Sequence, residues 1–128
     1  MRNMSFALTT RQFLAREKTV TRRLGWRHLR PGDLVMGVEK GMGLKPGEQI
    51  VRLGAIRILD VHGEPLRRMT DDIDYGFDEC AKEGFAEHPS LCWPSAFVEF
   101  FCRTHKGCTP ETEINRIAFE YVDAQPKE

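Results

Sequence analysis

The sequence predicts an α+β fold, a small, strongly curved or closed antiparallel β-barrel with helices packed at its mouth. Three observations lead there. Several short strand patterns run along the 128 residues without any internal repeat. Helical patterns are inserted among them but do not alternate with them as in βαβ units, which disfavours a doubly wound sheet. The last patterned segment has one wet face, as a closing antiparallel strand does.

Ser5-Phe6-Ala7-Leu8 reads as a short opening strand. Thr9 or Thr10 can then cap a helix running through Arg16, with Phe13 and Leu14 facing inward. Thr19-Val20-Thr21 is β-branched throughout and is expected to be extended. Arg30-Pro31-Gly32-Asp33 is a turn signal that leads into Leu34–Val38, where Leu34, Met36 and Val38 share a face. Gly41–Gly47 is rich in breakers and lacks the Lys-Ser/Thr end of a phosphate-binding loop, so it reads as a connector rather than a nucleotide cradle. Gln49 to Val61 carries a long strand pattern whose alternation changes phase, predicting a bulge or bend near Gly54.

Thr70-Asp71-Asp72 is an acidic helix start. Ile73, Phe77, Cys80 and Ala81 follow at helical spacing, and Gly84 is placed to stop that run. Pro94 opens another helix through Arg103, with Phe97, Val98, Phe100 and Phe101 inward; such an aromatic stripe is more often core than a stacking platform. Ile117, Phe119 and Tyr121 alternate with Arg116, Ala118 and Glu120 to make the closing strand. Residues 1–128 are expected to form one domain, with 123–128 fraying.

Composition narrows the function. The formal net charge is zero, so strong nonspecific binding to duplex DNA is not expected. Residues 1–30 nevertheless hold eight basic residues against Glu17 alone, +7, and the rest of the chain therefore carries −7. This asymmetry suggests either a basic face beside an acidic body or simply solvated charges. No apolar run approaches the ~20 residues of a membrane span, and the start lacks the apolar stretch of a secretory signal. A cytoplasmic protein, with no membrane partner and reduced, buried thiols at Cys80, Cys92, Cys102 and Cys108, is the expectation. Cys102, His105 and Cys108 are ligand types at short spacing, which His88 and Cys92 could complete, but no Cys-x2-Cys pair is present; neither metal nor cofactor is expected.

The chemistry-bearing segment is Lys18-Thr19-Val20-Thr21-Arg22-Arg23, read together with Glu83-Gly84-Phe85. An amine beside a hydroxyl can make a nucleophile, a carboxylate can shuttle its proton, and guanidinium groups recognise phosphate or base edges. Lys18 and Thr21 are three apart, so they converge only if a helix ends near Lys18 and the chain turns into a strand; Thr21 and Arg23 share a strand face. Each also has an ordinary explanation. Lys18 can favour a helix end, Thr21 can be a β-former and Glu83 a surface helix residue.

These segments, with the Pro31-Gly32-Asp33 turn and the run from Phe97–Cys102 to Ile117–Tyr121, resemble the ASCH domain family of the PUA-like superfamily. The similarity spans the chain from about the first helix to the last strand and rests on the ordered set rather than on any one motif. It implies a β-barrel whose cleft against the helices is lined by the lysine-threonine-arginine segment and a helix-terminal carboxylate. It also implies RNA binding or coactivator-type roles, ribonuclease activity in some members, and in a bacterial branch hydrolysis of the N4-acetylcytidine amide. Carried over from that branch, Lys18, Thr21 and Glu83 are the catalytic set and Arg23 orients substrate. Two departures stand out. Arg22 lies where an apolar residue is expected between threonine and arginine, and the chain is longer around Gly41–Gly47 and His88–Trp93.

Two functions follow. In the first, Lys18, Thr21, Arg23 and Glu83 bind RNA or a modified nucleoside, with Arg22 and Trp26 as further ligand-binding residues and Trp26 as a stacking surface. In the second, a partly neutral Lys18 accepts the Thr21 proton, Thr21 attacks the exocyclic amide and Glu83 protonates the leaving amine. A ribonuclease using His28, His62, His88 or His105 is the weaker third reading, because none of these is informatively spaced.

Overall fold

The computed structural model describes residues 1–123; the expected frayed tail lies, from 124 on, outside the described residues. Among these, five strands form one curled half-barrel sheet and four helices pack against it. The strands are β1 (Arg2–Ser5), β2 (Val20–Arg23), β3 (Leu34–Val38), β4 (Arg52–Pro65) and β5 (Glu113–Tyr121). The helices are α1 (Thr10–Leu14), α2 (Arg68–Asp71), α3 (Ile73–Cys80) and α4 (Pro94–Thr104). A wider, π-type turn over Ala81–Phe85 follows α3.

The strand order is β1-β3-β4-β5-β2. One expectation is corrected here. β1 pairs parallel with β3, Met4 opposite Gly37, so the sheet is not wholly antiparallel. It is also open along its length, with β1 and β2 as its edges. The curl comes from the 14-residue β4, which pairs with both β3 and β5 and is irregular twice. Between Gly37–Gly54 and Val38–Arg52 the register steps past Leu53, where the sequence expects a bulge. A second step past Leu59 re-aims the strand again.

Two cores result. Met4, Phe6, Phe13, Val35, Ile56, Ile58, Ile117 and Phe119 fill the inside of the sheet. Leu66, Met69, Cys80, Phe85, Phe97, Val98, Phe101 and Ile114 form a second core under the helices. Phe13 sits directly over Gly37: a Cβ there would lie 2.5 Å from the ring, so only glycine lets the strand accept it. That contact assigns Val35 and Gly37 to the main core face. Leu34 is exposed, while Met36 and Val38 belong to a smaller cluster with Ala55 on the other phase.

Other inward assignments change as well. α1 has only five residues, so Phe13 is buried and Leu14 is exposed. Ile73 and Phe77 are exposed on α3, where Trp93 meets the Phe77 ring edge-to-face. Only Cys80 of the four cysteines is buried; the other three are half-exposed.

Candidate functional site

Arg16 turns the chain out of α1 in a left-handed conformation, φ 59°, which allows Lys18 and Thr21 to converge. Lys18 is then fixed through its backbone. Tyr121 Oη donates to the Lys18 carbonyl at 2.6 Å, and Thr19 N donates to the Lys82 carbonyl at 2.8 Å. On the other side Gly84, at φ +99°, ends the helical run and lets Phe85 turn inward beside Glu83. A Cβ on Gly84 would stand 3.0 Å from Gln12 Cβ and 3.4 Å from Lys18 Cβ, so this close approach also needs glycine.

Lys18, Thr21, Arg23 and Glu83 all line one cleft of about 250 Å³ between the sheet edge, the Ala81–Phe85 turn and α4. Lys18 Nζ donates to Glu83 Oε1 at 2.9 Å and to the Glu83 carbonyl at 2.8 Å. Burial pushes the Lys18 ammonium below its ordinary pKa; the Glu83 carboxylate opposes this shift without overcoming it. Arg23 Nε donates to Thr21 Oγ1 at 3.1 Å, leaving the threonine hydroxyl proton free to be given elsewhere. Arg23 Nη2 donates to the Ser5 carbonyl at 2.6 Å, and its guanidinium lies 5.0 Å from the Phe6 ring centroid. Burial lowers the Arg23 pKa as well.

Phe97, Phe100 and Phe101 form the apolar wall. Phe97 and Phe101 are core residues and cleft residues at once, so the alternative posed by the aromatic stripe does not divide them. His105 completes the rim, its ring parallel to Phe101 at 3.9 Å. Its Nδ1 lies 2.9 Å from the Phe101 carbonyl, so this nitrogen carries the proton and Nε2 is the acceptor of the neutral ring. His105, named from the sequence only as a possible metal ligand or ribonuclease residue, stands in the same cleft as Lys18 and Thr21; its place four residues after Phe101, at the end of the helix, is the signal for that position. A second cavity of about 400 Å³, lined in part by His88, Glu99 and Arg103, shares Phe100 with the first.

Arg22 is a cleft residue of a different kind. Its side chain is 0 % exposed and lies inside an ion network rather than presenting itself to a ligand. Nη2 donates to Glu79 Oε1 at 2.6 Å and Glu64 Oε2 at 3.3 Å, and Nη1 donates to Glu83 Oε2 at 3.2 Å. Arg22 stands opposite Arg116 across the β2–β5 pair, an unfavourable juxtaposition that Glu79 relieves by accepting from both. These donors hold the Glu79 carboxyl down to about 2 against the opposing cost of burial. Tyr75 Oη donates to Glu64 at 2.8 Å, and His62 sits between two carboxylates, its Nε2 2.8 Å from Glu64 and its Nδ1 2.7 Å from Asp60. The two carboxylates raise the His62 pKa. Among the described residues Arg22 Nε alone is a buried side-chain polar atom without a hydrogen-bond partner.

Trp26 is not brought to the cleft. It packs half-buried against the sheet core, with His28 stacked beside it and Arg2 over its ring. Among the described residues no cluster of three or more His, Cys, Asp or Glu side chains is arranged to hold a metal ion, and no helix is long and apolar enough to cross a membrane.

No protein-family model and no curated protein matches the chain. Among solved structures, it is similar to the DUF984 protein EF3133 from Enterococcus faecalis V583, with a TM-score of 0.52 and 17% sequence identity over 94% of this chain and 73% of that one. At this identity the likeness concerns the fold, a mixed α+β domain with a curled sheet.

Proposed function

We propose that this is an ASCH-type, PUA-like domain whose cleft binds RNA or a modified nucleoside. The observation that carries the reading is the convergence of Lys18, Thr21, Arg23 and Glu83 on one cleft with an aromatic wall. Its volume of about 250 Å³ suits one base or nucleoside rather than a duplex. Phe100 and His105 offer faces for stacking, while the threonine hydroxyl and the glutamate oxygens offer polar partners to a base edge. Arg22 supports the site by orienting Glu83, and Trp26 has no part in it.

A second reading, hydrolysis of the exocyclic amide of an acylated cytidine, is favoured by one further observation. Burial lowers the Lys18 pKa while Thr21 keeps a free hydroxyl proton. Neutral Lys18 would take that proton as Thr21 Oγ1 adds to the amide carbonyl. Lys18 Nζ would hand that proton to Glu83 Oε1 across their 2.9 Å hydrogen bond, and Glu83 would pass it to the departing amine as the C–N bond breaks, leaving an acyl-threonine that water cleaves to the free acid and threonine.

Both readings are tested by titrating cytidine, N4-acetylcytidine and a short single-stranded RNA into the protein at low salt, with cytidine release followed chromatographically. Saturable binding that weakens at least tenfold in Thr21→Ala and Glu83→Gln is expected. Absence of affinity for all three ligands in folded wild type overturns the nucleoside reading. Cytidine release that survives Thr21→Ala overturns the acyl-threonine route.

A further inference from the structure

The end of α4 and the turn that follows it carry two thiols that the cleft does not use. Cys102 lies in the last turns of α4, and the helix ends at Thr104. The chain then reverses: Cys108 N donates to the His105 carbonyl at 3.1 Å, and Gly107 adopts φ +79°. This turn carries Cys108 back over the helix end, where Cys102 Sγ and Cys108 Sγ stand 4.0 Å apart. Both are free and half-exposed. Bringing the sulfurs to bonding distance needs about 2 Å of closure at a surface turn.

We propose that Cys102 and Cys108 form a reversible disulfide that pins the cleft-lining residues Thr104 and His105 between them. Both lining residues fall inside the loop that the bond would close, and the His105 ring is already stacked on Phe101. The disulfide would remove the freedom of the turn and with it the freedom of this wall to yield to a ligand.

The oxidant is a hydroperoxide. One cysteine thiolate attacks a peroxide oxygen, the O–O bond breaks, and a sulfenic acid and one water result after protonation. The second thiolate attacks the sulfenic sulfur, the S–S bond forms and the S–O bond breaks, releasing hydroxide that is protonated to a second water. Two thiols are thereby oxidised by two electrons and one hydrogen peroxide is reduced to two waters. A dithiol reductant reverses the step by exchange. Burial and the adjacent Cys108 raise the Cys102 pKa, so closure is slower at neutral pH than at mildly alkaline pH.

The digestion pattern makes the test direct. Arg103 and Lys106 lie between the two cysteines, so trypsin leaves peptides 83–103 and 107–116 joined only by a disulfide. The intact protein, treated with hydrogen peroxide at pH 8 and blocked with an alkylating agent, is expected to yield this linked pair, lost on reduction with dithiothreitol. Because peptide 83–103 also holds Cys92, the link must persist in Cys92→Ser. Cys108→Ser and Cys102→Ser should each stop at a sulfenic acid that dimedone traps on the remaining partner. In the oxidised wild type the His105 ring resonances should move, whereas those of His62 should not. Oxidation that joins Cys92 instead, links two chains, proceeds only to sulfinic acid, or leaves the His105 resonances in place overturns the proposal. None of these readouts depends on what the cleft binds.

Discussion

Arg23 and Ser5 join the two free edges of the sheet: the guanidinium on β2 donates to the carbonyl that ends β1 at 2.6 Å. The same side chain holds Thr21 Oγ1 from the other side of its fork, so one residue sets both the width of the barrel mouth and the aim of the hydroxyl. A lysine cannot do both, because a single ammonium lacks the rigid planar fork. Arg23→Lys is therefore expected to lower stability by about 1–2 kcal/mol and, on the proposed function, to weaken nucleoside binding at least tenfold. Thermal unfolding and a binding titration check the two effects separately. An affinity equal to wild type would remove Arg23 from the site.

Lys18 should titrate below the ordinary lysine value of 10.5. In the window between the lowered value and 10.5 the unfolded chain binds more protons at this position than the folded one, so the Lys18 contribution to stability increases as pH rises. A pH titration of the Lys18 13Cε resonance checks the direction; an inflection at or above 10.5 contradicts it. In the hydrolysis reading the rate should climb with the same inflection, and Lys18→Arg should abolish that limb.

Glu79 behaves oppositely. Its folded-state value of about 2 lies below the usual 4.5, so the unfolded chain binds more protons in between and acid favours unfolding. The contribution is fully present above pH 4.5 and is lost as pH falls toward 2, amounting to about 3 kcal/mol. Glu79→Gln removes the counter-charge that Arg22 and Arg116 share, leaving Arg22 to Glu64 and Glu83, and should cost about 3–5 kcal/mol at pH 7. The difference from wild type should shrink on acidification. Urea unfolding at pH 7 and pH 3 measures it, and an unchanged difference would mean that Glu79 is not the anionic partner.

Gly84→Ala places a side chain at φ +99° and 3.0 Å from Gln12 Cβ. A loss of about 1–2 kcal/mol is expected from the left-handed backbone alone. Because Gly84 follows Glu83 and abuts Lys18, the same substitution should also weaken ligand binding. Stability equal to wild type would show that this turn relaxes freely.

The alternations at Ile117, Phe119 and Tyr121 and the phase change near Gly54 make β5 and the bulged β4 legible in the sequence, since both are local patterns. The turn between Lys18 and Thr21 was legible as a requirement, and Arg16 meets it. The parallel pairing of β1 was not, because parallel and antiparallel edges present the same alternation to a reader of one strand. Arg22 was also beyond reach. Its destination depends on Glu64, Glu79 and Glu83, which lie 42, 57 and 61 residues away. The same pairing accounts for part of the basic opening segment: Arg16, Lys18 and Arg22 meet acids from far along the chain, Asp123 and Glu83 among them. Trp26 sits near the chemistry in sequence but turns away at φ 71° into the barrel wall.

The strand order carries a consequence for timing. The residues that would do the work, Lys18 to Arg23, are synthesised within the first fifth of the chain, yet among the described residues β2 pairs only with β5, which ends at Tyr121. On a ribosome, the cleft therefore waits for the final strand to emerge, long after its own side chains have left the tunnel. A chain that stopped after α4 would possess every residue of the Lys18, Thr21, Arg23 and Glu83 set and have no strand to hold β2 against. Quality control that samples nascent chains would meet this protein in a form whose buried cations, Lys18 and Arg22, are still facing water.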